Sequence, residues 1–196
     1  MYLRGMGTNV RIAKTFDKCD FKEKPLEKGE YEACTFTGCD FSNSDLAEIH
    51  FSECVFSHCN LSMARLFSTA LRDVTFVECK MLGLRFDTCM VFGLAFRFEN
   101  CTLNYSSFYG LNIKKTVFKK CSMQETDFTE CDLTSAVFDD CDLFRATFEK
   151  TILVKADLRS SVHFSIDPAT NRLKKARFSM NNLSGLLDRY DIEIEP

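Results

Sequence analysis

The chain has 196 residues, 45% of them apolar, with 25 basic and 28 acidic residues and a formal net charge of −3. This length suits a single domain. The sequence contains no apolar run of about eighteen residues and no long apolar segment at its start, which argues against a membrane span or a signal peptide. We therefore expect a cytoplasmic protein without a membrane partner.

A five-residue repeat organises most of the chain. Every fifth residue from Phe16 to Val91 is apolar or aromatic, and after a slip of two residues the same spacing runs from Phe98 to Leu158. A period of five matches neither an α-helix nor a β-strand. A fixed internal period instead predicts a solenoid, in which each unit buries its apolar side by stacking on the next. The predicted regions are a lead-in at 1–13, the repeat region at 14–162 and a C-terminal extension at 163–196.

Residues twenty apart form columns if twenty-two is allowed across the slip. One column is Phe16, Phe36, Phe56, Phe76, Phe98, Phe118, Phe138 and Leu158, and another is Cys19, Cys39, Cys59, Cys79, Cys101, Cys121 and Cys141. A twenty-residue column indicates four repeats in each coil. Both columns stay in phase only if two residues are inserted between Val91 and Phe98, so we predict a bulge within 92–97 rather than a domain boundary.

All eleven cysteines stand two residues before the apolar centre of a repeat. A buried thiol behaves as a small apolar group, so cysteine suits a cramped inward position. Neighbours in such a column lie about 4.8 Å apart with parallel side chains, whereas the Cβ atoms of a disulfide lie about 3.8 Å apart and converge. No C-x-x-C spacing occurs and only three histidines are present. We expect reduced structural thiols, with no metal and no cofactor.

The repeats resemble the pentapeptide-repeat family. Representative units are Cys39-Asp40-Phe41-Ser42-Asn43, Cys131-Asp132-Leu133-Thr134-Ser135 and Ala156-Asp157-Leu158-Arg159-Ser160. The resemblance implies an all-β solenoid, a right-handed quadrilateral β-helix in which the centre and the small residue two before it point inward. The repeat region would form about seven and a half coils and a shaft about 35 Å long.

The C-terminal extension departs from the repeat. Asp167-Pro168 predicts a turn, and apolar residues at helical spacing predict a short helix at about 180–190, followed by a short strand. One interpretation is a cap that closes the open end of the shaft. The other is dimerisation, because the extension resembles that of Qnr-type quinolone-resistance and microcin-immunity pentapeptide proteins. That resemblance implies a homodimer contact, with Leu183, Leu186, Leu187, Tyr190, Ile192 and Ile194 as candidates.

Nothing in the sequence indicates catalysis. No nucleophile elbow, phosphate-binding glycine loop or zinc-protease motif occurs, and the paired acids sit at outward repeat positions. We therefore expect that the protein is not an enzyme.

Two acidic bands are the main functional signal. The candidate residues are Asp40, Asp45, Glu48 and Glu53 in the first band, and Glu125, Asp127, Glu130, Asp132, Asp139, Asp140 and Asp142 in the second. The Qnr-type resemblance implies that such carboxylates mimic DNA at DNA gyrase or topoisomerase IV and protect the enzyme from quinolones or a toxin. A rod with rows of carboxylates suits a cationic groove but not direct nucleic-acid binding. The alternative is that the acids only keep the rod soluble.

Outward apolar residues near the slip offer a second function. The candidates are Leu82, Met90, Phe92, Tyr105 and Tyr109, with Phe67 one coil below. Exposed aromatics gathered at one level of a rod would anchor a protein partner and make the molecule an interaction scaffold. The alternative is that these side chains pack beneath the bulge itself.

Overall fold

The computed structural model describes residues 9–193 and consists of short parallel strands wound into a solenoid. The strands are β1 Val10–Ile12, β2 Thr15–Asp17, β3 Glu30–Glu32, β4 Thr35–Thr37, β5 His50–Ser52, β6 Val55–Ser57, β7 Ala70–Arg72, β8 Val74–Val77, β9 Phe96–Glu99, β10 Val117–Lys119 and β11 Val137–Asp139. They form a four-stranded sheet, β1-β3-β5-β7, and a seven-stranded sheet, β11-β10-β9-β8-β6-β4-β2. The predicted all-β solenoid is confirmed.

Strands pair with the coil above at a spacing of twenty residues, as in Phe36 with Phe56 and Phe118 with Phe138. The larger sheet spans about six turns, and isolated bridges continue the same stack from Val137 to Asp157 and on to Arg177. Four faces result, named here by the apolar centres of the repeats, which point inward except Val91, where the bulge leaves the side chain 62% exposed. Face 1 is centred on Phe16 to Phe138, face 2 on Phe21 to Leu143, face 3 on Leu26 to Phe148, and face 4 on Tyr31 to Leu173.

The interior of the shaft is an aromatic stack flanked by small side chains. Phe36 stacks on Phe56 with ring centroids 4.6 Å apart, and Phe118 stacks on Phe138 at 5.0 Å. Where the residue two before a centre is Cys, Ser or Thr, it commonly donates a hydrogen bond to a carbonyl of the coil below, as Cys54 Sγ does to the Tyr31 oxygen at 3.2 Å. Serine makes the same bond, from Ser44 Oγ to the Phe21 oxygen at 3.1 Å. Other repeats bury an apolar residue there, such as Ala136 or Leu84, so the position does not require a donor.

The chain bulges out of register on face 4. Before the bulge the spacing is twenty, but Val74 pairs with Phe96 and Phe76 with Phe98, a spacing of twenty-two. Gly93 has φ +75, in the left-handed region that favours glycine, and its backbone lies against the Arg72 side chain. Phe92 stands out into solvent with 81% of its surface exposed. It does not pack beneath the bulge.

The C-terminal extension continues the stack of coils before it closes the end of the shaft. Bridges from Ile152 to Arg172 and from Asp157 to Arg177 show that coil pairing continues past residue 162, where the sequence pattern places the end of the repeats. Asn171 takes the inward position there, because its side-chain amide accepts from Thr151 N at 2.8 Å and donates to the Phe148 oxygen at 2.9 Å. A short polar amide thus replaces the usual small residue.

The predicted short helix is present as 3-10 helix at Met180–Leu186 and Asp188–Tyr190. Its close approach to the shaft requires Gly185, where an added Cβ would lie 2.1 Å from the Phe164 oxygen. Residues 192 and 193 lie outside the strands, so the predicted strand is not present in the described part of the chain, and Ile194 lies beyond the described residues. No helix between residues 9 and 193 combines the length and the apolar composition that a bilayer span would need.

Candidate binding surface

The candidate acids divide unequally among the four faces. Seven of the eleven lie on the adjacent faces 2 and 3: Asp40, Asp45, Glu48, Glu125, Asp127, Glu130 and Asp142. Glu53 and Asp132 lie on face 4, and Asp139 and Asp140 on face 1. The acids of the two bands therefore occur on all four faces of the rod. The structure places most of their charge along one edge.

Several aspartates in this set are held by their own backbone. Asp40 Oδ1 accepts from Ser42 N at 2.8 Å, and Asp127 Oδ1 accepts from Thr129 N at 2.9 Å. The Ser42 N–H bond holds the pKa of Asp40 below its usual range, so this carboxylate is fixed in both orientation and charge. The short Asx turn explains why Asp stands just before the centre of so many repeats.

Many of the other candidate acids are paired with a cation on a neighbouring coil. The contacts are Asp45 with Arg65 at 3.3 Å, Glu48 with Lys28 at 2.8 Å, Glu125 with Arg145 at 4.0 Å, Glu130 with Lys150 at 3.6 Å and Asp132 with Lys114 at 3.1 Å. Asp142 lies 2.8 Å from His163 Nδ1. Except for the Asp132 and Asp142 contacts, the partners stand twenty residues apart in sequence. Reading the charges at that spacing would have revealed most of these pairs.

The remaining candidate acids carry uncompensated charge. Within residues 9–193, no Lys or Arg nitrogen lies within 4.0 Å of Asp40, Asp127, Asp139 or Asp140, or of Glu53. Exposed ion pairs contribute little stability but do cancel the field at a distance. The long-range negative potential therefore comes from fewer carboxylates than the sequence suggests.

The candidate apolar residues do not form one patch. Leu82 and Tyr105 lie on face 2 and Tyr109 on face 3, but Met90 and Phe92 lie on face 4, which is opposite face 2. The prediction of a single cluster at the bulge was wrong, because residues at one level of a square shaft point in four directions.

Faces 2 and 3 nevertheless gather their own exposed apolar groups. Met63, Phe67 and Tyr105 are 62%, 52% and 60% exposed, and they lie between the acids of the lower coils and those of the upper coils. Tyr109 connects the exposed aromatic residues to the acids, because its hydroxyl lies 3.2 Å from Glu130 Oε2. This contact raises the pKa of Tyr109. We call the outward residues of faces 2 and 3 from Asp40 to Asp142 the acidic-aromatic surface.

The C-terminal candidates are split between burial and exposure. Leu183 and Leu187 are half-buried, and Leu186 packs against the core. Tyr190 and Ile192 are each 55% exposed, and Met180, which sequence reasoning did not single out, is 83% exposed. The leucines therefore close the shaft, and the exposed apolar groups lie beyond them.

The thiols offer no chemical site of their own. All eleven cysteines are free, and ten are buried. Burial raises the pKa of Cys54 and of Cys89 to about 12, which keeps both as neutral thiols. No group of three His, Cys, Asp or Glu side chains suited to a metal ion occurs between residues 9 and 193.

Comparison with known proteins gives a family match over most of the chain. The family model for the pentapeptide repeat region matches residues 29–97 and 94–186. A search of curated proteins finds no match.

Among solved structures, full-length QnrB1, a plasmid-mediated fluoroquinolone resistance protein, superposes with a TM-score of 0.55 at 16% identity. The match covers 94% of this chain and 100% of QnrB1, so the two share a fold along their whole length. HetL, a pentapeptide-repeat protein involved in heterocyst differentiation regulation from Nostoc sp. strain PCC 7120, has a TM-score of 0.35 at 14% identity, with 86% of each chain covered.

Proposed function

This chain belongs to the pentapeptide-repeat family, and we propose that it acts without catalysis, by presenting the acidic-aromatic surface to a type II topoisomerase. The observation that carries the proposal is the end-to-end fold match with QnrB1, which covers 94% of this chain. QnrB1 is a fluoroquinolone resistance protein, and DNA gyrase and topoisomerase IV are the enzymes implied by the Qnr-type resemblance.

The charge distribution supports one edge of the rod as the contact. Faces 2 and 3 hold seven of the candidate acids. Within residues 9–193 Asp40 and Asp127 have no Lys or Arg partner within 4.0 Å, and the backbone orients their carboxylates. A cationic groove that normally binds phosphates responds mainly to the field of such groups. Tyr105 and Tyr109 would add contact area between the two acidic levels.

A supercoiling assay with DNA gyrase, with and without ciprofloxacin, tests the proposal. The purified protein should either protect the enzyme from the drug or inhibit supercoiling, and the effect should weaken steeply as ionic strength rises. Absence of both effects over a wide concentration range would reject a topoisomerase partner.

Matched variants locate the surface. Asp40→Asn with Asp127→Asn removes two charges but keeps the Asx turns, and it should reduce the effect about tenfold or more. Asp139→Asn with Asp140→Asn removes the same charge from face 1 and should change it little. Equal loss in both variants would show that only net charge matters and would place the contact elsewhere.

A second candidate function is a scaffold for an unrelated protein. The observation in its favour is the group of exposed side chains at Phe67, Tyr105 and Tyr109, which a purely electrostatic mimic does not need. Binding of such a partner would survive high salt and would be lost on Tyr105→Ala with Tyr109→Ala. Pull-down at low and high ionic strength with this variant as control separates the two functions.

We also propose that the closed end of the shaft forms a homodimer contact. Met180, Tyr190 and Ile192 are exposed there, beyond the leucines that pack on the core. Tyr190→Glu with Ile192→Glu should give a monomer by sedimentation without loss of thermal stability, because neither side chain is buried. A native protein that is already monomeric would leave this segment as a cap alone.

A further inference from the structure

Face 4 reverses its charge at the bulge. Before the bulge its outward residues include four acids, Glu30, Glu32, Glu53 and Asp73, with one cation, Arg72. After the bulge they include six cations, Lys114, Lys115, Lys155, Arg172, Lys174 and Lys175, with one acid, Asp132. The acidic-aromatic surface does not include this face, although two of the candidate acids, Glu53 and Asp132, lie on it.

The charge reversal extends over eight levels of face 4, centred on Tyr31, Phe51, Leu71, Val91, Ile113, Leu133, Leu153 and Leu173. A ninth level, strand β1, pairs with β3 below them and is left out of this numbering. The bulge level at Val91 is the fourth of the eight, so their midpoint lies between Val91 and Ile113. At roughly 4.8 Å per level the eight levels span about 34 Å.

We infer that two copies of this chain pair side by side through face 4, with their shafts antiparallel and a twofold axis at the bulge. Such an axis lies in the contact plane and runs along the strand direction. Each outward column of one copy therefore meets the same column of the other copy, and the order of the levels is reversed between the two copies. An interface of this kind is self-complementary. Its predicted pairs can therefore be read directly from the repeat positions.

Opposite charges meet at the outer levels of this arrangement. The first level meets the eighth, which places Glu30 opposite Arg172 and Glu32 opposite Lys174. The second level meets the seventh, which places Glu53 opposite Lys155. Within residues 9–193 none of these three cations lies within 4.0 Å of a carboxylate, so they are available to a second copy.

The middle of the face supplies an apolar contact. Phe92, 81% exposed, lies on the fourth level and so faces the fifth level of the other copy. At that level the bulge leaves a crevice of about 380 Å³ between coils, where Leu94, Ala95 and Ile113 lie among polar residues such as Asn112 and Thr116. Phe92 of each copy would enter the crevice of the other, with Lys114 placed to meet the ring face.

The contact would be weak and sensitive to salt. One face of the rod offers less area than a standard stable interface. Its charges mainly speed the encounter of the two copies and fix which levels lie opposite each other. The face contact and the C-terminal contact use different surfaces. Experiments on face 4 are therefore made in the Tyr190→Glu, Ile192→Glu background, which removes the end contact.

Charge reversal with mixing is the decisive experiment. The acid-reversed protein carries Glu30→Lys, Glu32→Lys and Glu53→Lys, and the base-reversed protein carries Lys155→Glu, Arg172→Glu and Lys174→Glu. By sedimentation at low ionic strength, the unreversed protein should dimerise, each reversed protein alone should be monomeric, and an equimolar mixture should form a heterodimer. The dimer should weaken about tenfold or more between about 50 and 500 mM salt.

Two controls separate the inference from other causes. Lys120→Glu, Arg145→Glu and Lys150→Glu change the net charge equally on the other faces and should leave the dimer intact. Phe92→Ala should weaken it about tenfold without changing thermal stability, because the ring is exposed.

The inference is overturned if the unreversed protein is a monomer at high concentration and low salt, or if the reversed proteins fold but fail to pair when mixed. It is also overturned if the acid-reversed protein still dimerises like the unreversed protein and only the base-reversed protein differs, losing binding to a DNA duplex as well. That outcome would identify the cations of face 4 as a binding site for polyanions.

Discussion

In the first coils, up to Phe56, aromatic rings fill faces 1, 2 and 4 of the shaft, whereas from Phe86 onward they fill faces 1 and 3. In the lower coils Phe36 has Phe41 and Phe51 as edge-on neighbours, at 5.6 Å and 5.9 Å. In the upper coils Phe118 has Phe108 and Phe128, at 5.9 Å and 6.1 Å. Both arrangements surround the face 1 stack with rings at nearly right angles.

The difference shows that a coil has a fixed interior space rather than four independent positions. Rings on faces 2 and 4 are accompanied by leucine on face 3, at Leu26 and Leu46, and rings on face 3 by aliphatic centres on faces 2 and 4. A small apolar cavity of about 10 Å³ lies where one arrangement gives way to the other, lined in part by Leu61, Leu66 and Phe86. Packing is looser at this transition.

Alkaline pH should have the largest effect and should act on both halves, because burial raises the pKa of thiols before the bulge and of Cys131 after it. The pKa of Cys39, Cys54 and Cys89 is raised to about 12 by burial, from an unfolded value near 9. The folded state therefore retains these protons longer than the unfolded state. The contribution of these thiols to stability should be constant below about pH 9 and fall between about pH 9 and 12. Urea midpoints measured by circular dichroism across that range check this, and a flat profile would contradict neutral buried thiols.

Loss of a stacked ring should be severe in the upper coils. Phe118 is fully buried between Phe98 and Phe138. Phe118→Ala should lower the free energy of unfolding by about 3 to 5 kcal/mol, since rings above, below and beside it lose their contact. Urea denaturation measures the change. A loss below about 1 kcal/mol would mean that the coils can collapse into the space.

Adding a ring should distinguish the two arrangements. Leu133→Phe places a ring on face 4 after the bulge, where Phe128 already fills the interior, and should cost about 1 to 3 kcal/mol. Leu61→Phe extends the Phe21 and Phe41 column beside the small cavity and should cost less. The pair is compared by thermal melting. Equal costs would show that the halves do not differ in available space.

Replacing a thiol by a hydroxyl should have the smallest effect. Cys141 Sγ donates to the Phe118 oxygen at 3.4 Å, and one coil above it Ser161 Oγ makes the corresponding bond at 2.8 Å. Cys141→Ser should therefore cost about 1 kcal/mol or less, because the hydroxyl finds the same acceptor. Cys141→Ala serves as control for the hydrogen bond. A larger loss for serine than for alanine would show that the column rejects polar atoms.

Much of the candidate surface can be read from the sequence once the period is known. The twenty-residue spacing assigns Asp40 and Tyr105 to face 2 and Asp127 to face 3, because each repeat position has a fixed direction. The same spacing predicts that Asp45 lies beside Arg65 of the next coil. The prediction of one apolar cluster failed because it used the level along the rod and ignored direction, which separates Phe92 from Tyr105.

The C-terminal segment could be predicted only in part. A short helix was expected from the leucine spacing, but the continued pairing through Arg172 and Arg177 was not. The repeat pattern depends on small inward residues, and Asn171 breaks it while still satisfying the backbone of Thr151 and Phe148. A side chain that supplies hydrogen bonds to the coil below can replace the expected residue type.

The sequence by itself determined the solenoid, its four faces and the inward centres other than Val91, because a period of five with a twenty-residue column fixes which apolar centres stack. Only the tertiary structure decided how the outward residues behave. Ion pairing depends on the reach of side chains between coils, as between Glu130 and Lys150 at 3.6 Å. Exposure depends on local backbone shape, as for Phe92 on the bulge. The residues that determine binding are therefore the outward ones, and their pairing and exposure can be assigned only from the stacked coils.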